Sequence, residues 1–256
     1  SNIRVGESER PTLEYLATYD TEHFRIHYDT EGSHAPKKND ENGEILYPDS
    51  DENGHPDYID ELAIAVEYSY SYIFNVLDYQ SVVLEGINGS FSLNEIMSDC
   101  DESNPNNCSD FGGNSLYDIY VQNMDANASS FTYGTNESEG VNSVGAVISF
   151  IIIDNGMTEK DGDGEPLYYT QGLDAMRTTI AHEFFHAIQR CYRDYEGGLD
   201  GYFYELSSSW IEDIIYPDIN DYCHYGWTSD FFDYDGILDS IDETDGYSVA
   251  LYAHYL

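Results

Sequence analysis

Apolar residues recur at three- and four-residue intervals through Ile59, Leu62, Ala63, Val66, Tyr70, Ile73 and Leu77. That period predicts a helix of about five turns starting near Asp57. Phe24, Ile26 and Tyr28 alternate with polar neighbours instead, which predicts a strand over Thr21–Tyr28. Tyr117–Val121 predicts a short strand, and the nearly continuous apolar run Val144–Asp154 a strand buried on both faces. Helical spacing returns over Gly172–Tyr192 and over Tyr202–Tyr216, the second ended by Pro217. Glu31–Gly54, Ser98–Gly113 and Asn155–Pro166 are polar and read as loops. Tyr247–Leu256 reads as a helix without a stop signal, so the natural protein is expected to continue past Leu256. Strands come first and helices later, which predicts an α+β class in a single domain over residues 1–256. Its strand-and-loop part extends to about residue 155, and its helical part follows from about residue 156. No apolar run approaches the roughly 18 residues of a membrane span, so no membrane insertion is expected.

Charge narrows the partners. The 256 residues carry 50 Asp and Glu against 9 Lys and Arg, a formal net charge of −41. Binding to nucleic acid or to anionic lipid needs a basic face, and neither is expected here. Disorder is not expected either, because 25 Tyr and 11 Phe supply aromatic material for a core. Such a charge repels itself, so ions are expected to offset it in an extracellular, secreted setting. The four cysteines, Cys100, Cys108, Cys191 and Cys223, form no CxxC pair, and their even number fits disulfides in an exported protein. Cys100–Cys108 with Cys191–Cys223 is the simplest pairing by proximity, three connectivities stay open, and four free buried thiols are the alternative. Asn-x-Ser sequons begin at Asn88, Asn107, Asn127 and Asn136.

The segment that carries chemistry is His182-Glu183-Phe184-Phe185-His186, an HExxH motif on a predicted helix. Two His four residues apart project from one face, one turn apart, and can reach one metal. Glu183 beside them is placed to take a proton from water. A catalytic zinc usually has three protein ligands, so a third is expected downstream. Glu205 completes HExxH-x18-Glu on the next predicted helix, after a connection containing Gly197, Gly198 and Gly201. Glu212 is its rival, seven residues on and on the same face. Glu205 is the preferred third ligand, and Glu212 or Asp213 is then a candidate to orient a ligand His through its second ring nitrogen.

The HExxH-x18-Glu spacing resembles the gluzincin class of zinc peptidases, which includes the thermolysin-like enzymes. Glu22-His-Phe-Arg-Ile-His-Tyr28, Asn53-Gly-His-Pro-Asp-Tyr-Ile-Asp60, Thr179–Gln189 and Trp210-Ile-Glu-Asp-Ile-Ile-Tyr-Pro217 are similar to a family of secreted bacterial and archaeal metalloproteases. The resemblance implies a zincin-like, thermolysin-like fold with a mixed sheet packed on the HExxH helix. It further implies a peptide or protein substrate, zinc on His182, His186 and Glu205, and Glu183 as general base. Thermolysin-like enzymes carry an Asp four residues after the third ligand, where this chain has Ser209. A second electrophile commonly assists the oxyanion. The candidates are His224, Tyr225, Tyr247, Tyr252 and His254. Val144–Phe150 is a candidate for the strand that pairs with an extended substrate.

A second cation is expected at Asp49–Asp60. Oxygen ligands fall at positions 1, 3, 5 and 9 of a calcium-type loop (Asp49, Asp51, Asn53, Asp57), with Gly54 at the turn, the His55 carbonyl at position 7 and Asp60 at position 12. Asp161, Asp163 and Glu165 form a second calcium candidate. The competing functional reading is an exported, calcium-stabilised binding or adhesion module that keeps a non-catalytic zinc site.

Overall fold

The computed structural model describes residues 8–37, 47–79, 112–124, 132–141, 147–160, 163–167, 169–192, 199–221 and 253. Within them lie strands β1 (Leu16–Asp20), β2 (Phe24–Asp29), β3 (Tyr117–Gln122), β4 (Gly134–Val141) and β5 (Val147–Asp154). The helices are α1 (Asp57–Ser71), α2 (Gly172–Tyr192) and α3 (Leu199–Ile215). The class is α+β.

The strands make one mixed sheet in the order β1-β2-β3-β5-β4. β2, β3 and β5 run parallel in the centre, while β1 and β4 pair antiparallel at the two edges. Parallel neighbours require a crossover, and α1 lies in the connection from β2 to β3. One sheet face carries Phe24, Ile26, Tyr28, Ile119, Val121, Ile151 and Ile153 toward the helices. There they share a single core with Ile59, Leu62 and Val66 of α1 and Ile180, Phe184 and Ile188 of α2. Each such side chain contributes about 1.5–3 kcal/mol relative to exposure. Phe184 is the anchor of α2: its ring meets Phe24 edge-on at 5.1 Å and Tyr117 at 6.2 Å.

Local chemistry explains the ends of the helices. Asp57 and Asp60 sit in the first turn of α1, where carboxylates oppose the positive helix end. After Ser71 the chain widens into a π-helical turn, Tyr72–Val76, in which Leu77 N–H reaches back to Tyr72 O at 3.1 Å. α3 stops at Ile215, because Pro217 disfavours helical backbone at the residue before it. No helix among the described residues is long and apolar enough to cross a membrane.

The structure departs from the sequence reading in several places. β1 precedes the expected first strand, and β4 was not expected at all. Of the candidate substrate strand Val144–Phe150, the described residues 147–150 fall on β5, which is flanked by β3 and β4 and has no free edge; the free edge on that side of the sheet belongs to β4. Cys191 is a free, buried thiol donating to Ala187 O at 3.3 Å, so the Cys191–Cys223 bridge is not made. Burial pushes that thiol up to about 12, well away from a reactive thiolate. Asn136 is buried and hydrogen-bonded, which removes it as a glycosylation acceptor in the folded chain. Cys100, Cys108, Cys223, Asn88, Asn107 and Asn127 lie outside the described residues, as does Tyr247–Leu256 except for Ala253.

Candidate metal centre

α2 lies across β5 and β4 with α3 packed on its other side. Phe184 points into the core, which turns His182 and His186 toward α3 and Glu183 toward β4. The two imidazoles meet at a ring-centroid distance of 4.6 Å, nearly perpendicular, with their Nε2 atoms 2.9 Å apart. Glu205 of α3 comes to the same point. Its Oε2 is 3.1 Å from His182 Nε2 and its Oε1 3.6 Å from His186 Nε2.

The remaining nitrogens are held from behind. His182 Nδ1–H donates to Glu212 Oε1 at 2.5 Å. His186 Nδ1–H donates to Gln189 Oε1 at 2.7 Å, and Ser208 Oγ stands 3.1 Å from the same nitrogen. Gln189 cannot turn its amide around, because its Nε2 donates to Tyr204 O at 3.1 Å and to Ser207 Oγ at 2.8 Å. These acceptors hold a proton on Nδ1 of each histidine, and both Nε2 atoms face the shared point. Of the rivals on α3, Glu205 faces the Nε2 atoms and Glu212 the Nδ1 of His182, two turns apart on one helix face. Ser209 is buried with its hydroxyl unpartnered.

Two lone pairs facing each other beside a carboxylate repel unless a cation or a proton lies between them. Four-coordinate zinc with bonds of about 2.0–2.1 Å separates its ligands by about 3.3 Å, and the observed spacings of 2.9, 3.1 and 3.6 Å bracket that value. The donor set, two neutral imidazoles and a carboxylate, is also one that zinc takes. The residues fit the ion. Among the described residues, His182, His186 and Glu205 are the one group of three or more His, Cys, Asp or Glu whose ligand atoms gather within 4.8 Å.

The metal-free electrostatics have the same origin. Burial opposes a charged His182, but Glu205 and Glu212 outweigh it and hold the imidazole well above its usual range. Burial also opposes charge on Glu205, yet His182 and His186 hold its carboxyl far below the ordinary value. Glu212 is pushed up to about 7 by burial, against the pull of His182. Burial raises Glu183 as well, against the attraction of both histidines. A buried carboxylate with a raised affinity for protons suits a general base.

Glu183 rests against the edge strand. A Cβ at Gly134 would stand 2.6 Å from Thr179 Cγ2 and 3.0 Å from Glu183 Cγ, so only glycine lets β4 approach the motif this closely. Two residues on, Asn136 accepts Arg190 Nε on its Oδ1 at 2.7 Å and Arg190 Nη2 on its backbone O at 3.1 Å. Arg190 is thus tied to β4 two turns after His182 on α2. Gly134, Gln189 and Arg190 were not singled out from the sequence. The i, i+3 spacing of His186 and Gln189 was a signal for one of them, whereas Gly134 depends on a tertiary approach that leaves no local mark.

The calcium-type loop folds around its own polar atoms. Asn53 N–H donates to Asp49 Oδ1 and Asp51 Oδ1, Gly54 N–H donates to Asp49 Oδ2, and Asn53 Nδ2 bridges Asp51 Oδ2 and Asp60 Oδ1. Gly54 has φ +96°, which suits glycine at the turn. Asp57 turns away to accept from Ser50 N–H and Ser50 Oγ. The His55 ring is bonded to Tyr28 OH at 2.7 Å. Asp163 and Glu165 are exposed on a loop closed by the bridge Lys160–Pro166. Asp161, His224, Tyr225, Tyr247, Tyr252 and His254 lie outside the described residues. Comparison with protein-family models, curated proteins and solved structures finds no match to this chain.

Proposed function

We propose that this chain is an exported, zinc-dependent metallopeptidase of thermolysin-like type. The observation that carries the reading is the convergence of His182 Nε2, His186 Nε2 and the Glu205 carboxylate, with the buried Glu183 carboxylate alongside. Zinc, when bound, supplies Lewis acidity, lowering the pKa of a water toward about 7 and polarising a carbonyl. Glu183 accepts the water proton and returns it to the leaving amine. Glu212 and Gln189 fix the two imidazoles in the tautomer that leaves Nε2 unprotonated.

The substrate is an extended peptide, which adds a strand to the outer edge of β4. The ladder bond from Asp154 N–H to Tyr133 O turns residues 133, 135 and 137 toward β5. The backbone groups of Gly134, Asn136 and Ser138 therefore point outward, beginning at Glu183. The Asp49–Asp60 loop is proposed as a structural calcium site.

The test is metal analysis and peptide cleavage on wild type and Glu183→Gln. The expected result is stoichiometric zinc in both and cleavage only in wild type. Loss of cleavage should reach about 10²-fold or more. A protein without zinc, or cleavage that survives Glu183→Gln, would overturn the reading.

A further inference from the structure

The N-terminal segment occupies part of the edge that the proposed peptide would use, and the inference drawn from this rests on the peptidase reading. Ser8 N–H donates to Ser138 O at 2.8 Å, and Ser8 Oγ donates to Glu137 Oε2 at 2.7 Å. Two residues on, Arg10 Nη1 donates to Asp118 Oδ2 at 2.5 Å and to Tyr120 OH at 3.3 Å, and its guanidinium lies 5.4 Å from the centre of the Phe150 ring. These partners alternate with the core residues Tyr117, Ile119 and Ile151, so they lie on the sheet face away from the helices. By Leu16 the chain has entered β1, at the opposite edge of the sheet from β4. Residues 8–15 therefore cross the whole outer face of the sheet as a strap.

The anchor is strong in context. Asp118 is buried and also takes His27 Nε2 at 2.6 Å, so Arg10 neutralises a carboxylate that water barely reaches. The outward carbonyls of β4 differ in what holds them. Gly134 O accepts Thr132 Oγ1 at 2.7 Å and Asn136 O accepts Arg190 Nη2, both side-chain donors that can rotate away. Ser138 O is held by backbone, in a segment pinned at Arg10.

We propose that Ser8, anchored through Arg10, closes one end of the substrate groove and so determines how far a peptide extends past the cleaved bond on that side. Four residues of strand separate Ser138 from Gly134, about 13 Å, which admits about four residues of an extended peptide. Ser8 and Arg10 are thus specificity-determining residues remote from the metal centre.

The experiment uses two nested peptide series around one cleavable bond, lengthened from about two to about eight residues on the N-terminal side in one series and on the C-terminal side in the other. For wild type, kcat/KM should fall about tenfold or more beyond about four residues on one side only. Ser8→Pro removes the N–H, Arg10→Ala releases the anchor, and the double variant should accept the longer peptides as well as the short ones. Ser8→Ala keeps the N–H and should keep the limit. Arg10→Ala leaves Asp118 with fewer donors, so Ser8→Pro alone carries the test if that variant folds poorly. Cleavage by wild type without a length limit, or the same limit in Ser8→Pro and the double variant, overturns the strap while leaving the peptidase reading intact. Absence of cleavage by every form overturns both.

Discussion

His182 lies between two carboxylates with different tasks. Glu205 faces the nitrogen that would bind metal, and Glu212 holds the other at 2.5 Å. In the metal-free protein the buried Glu212 carboxyl rises from its ordinary 4.5 to about 7. Below its ordinary value it is protonated in folded and unfolded chains alike and contributes no pH dependence. Between there and about 7 the unfolded chain ionises and the folded one does not, so its contribution to stability falls as pH rises. His182, also raised, acts in the same direction: its contribution is full below the ordinary 6.5 and is lost as pH climbs through the raised value. Glu212→Gln removes the first effect and weakens the second. In metal-free protein the Tm of Glu212→Gln relative to wild type should therefore be higher at about pH 8 than at about pH 5. The same variant should bind zinc about tenfold more weakly, measured by competition with a chelator, because the imidazole loses its anionic partner. An unchanged zinc affinity and a parallel pH profile would show that Glu212 only fills space.

At the scale of elements, legibility followed burial. α2 was readable at its full length, Gly172–Tyr192, because its apolar positions repeat over five turns. α3 was readable for the same reason, within three residues at its start. β2, β3 and β5 were readable because their cores alternate or run apolar. β4 was not: Gly-Thr-Asn-Glu-Ser-Glu-Gly-Val is an edge strand whose helix-facing positions, Gly134, Asn136 and Ser138, are buried yet small or polar, so no apolar alternation marks it. The convergence of His182, His186 and Glu205 was foreshadowed by their spacing, whereas Gln189 and Gly134 needed the packing of α3 and β4 on α2. The Asp49–Asp60 loop leads straight into α1, whose Tyr58, Ile59 and Leu62 are fully buried in the core. Calcium there would lock the first turn of α1, and chelation should release it. Calcium at about 100 times its Kd would add about 2.7 kcal/mol. Tm should accordingly fall on adding EGTA and recover with excess calcium, and Asp49→Asn with Asp51→Asn should abolish the recovery. A Tm indifferent to calcium in wild type would remove this loop as a cation site.

For the molecule as a whole, the charge of −41 sets the condition under which these parts stay folded. Arg10, Arg25, Lys37 and Arg177 each pair with carboxylates: Asp118, Asp20, Glu159, and Glu61 with Asp174. The nine Lys and Arg of the chain cannot balance its 50 acids, and exposed pairs such as Arg177–Asp174 contribute little. Zinc and one calcium would remove about four charges more. The remaining excess acts over distances that salt controls, since the Debye length shrinks from about 10 Å at 0.1 M to about 3 Å at 1 M. Self-repulsion loosens the folded state more than the expanded one, so screening should raise Tm steadily over that range, with sodium chloride and potassium chloride equivalent at equal ionic strength. Ionic strength should leave the buried cluster of His182, Glu183 and Glu212 largely untouched, because these side chains are shielded from solvent. Salt should therefore move Tm without shifting the pH difference between wild type and Glu212→Gln. A Tm that stays flat over that tenfold rise in salt would mean that repulsion does not limit stability and that the acidic surface is held some other way.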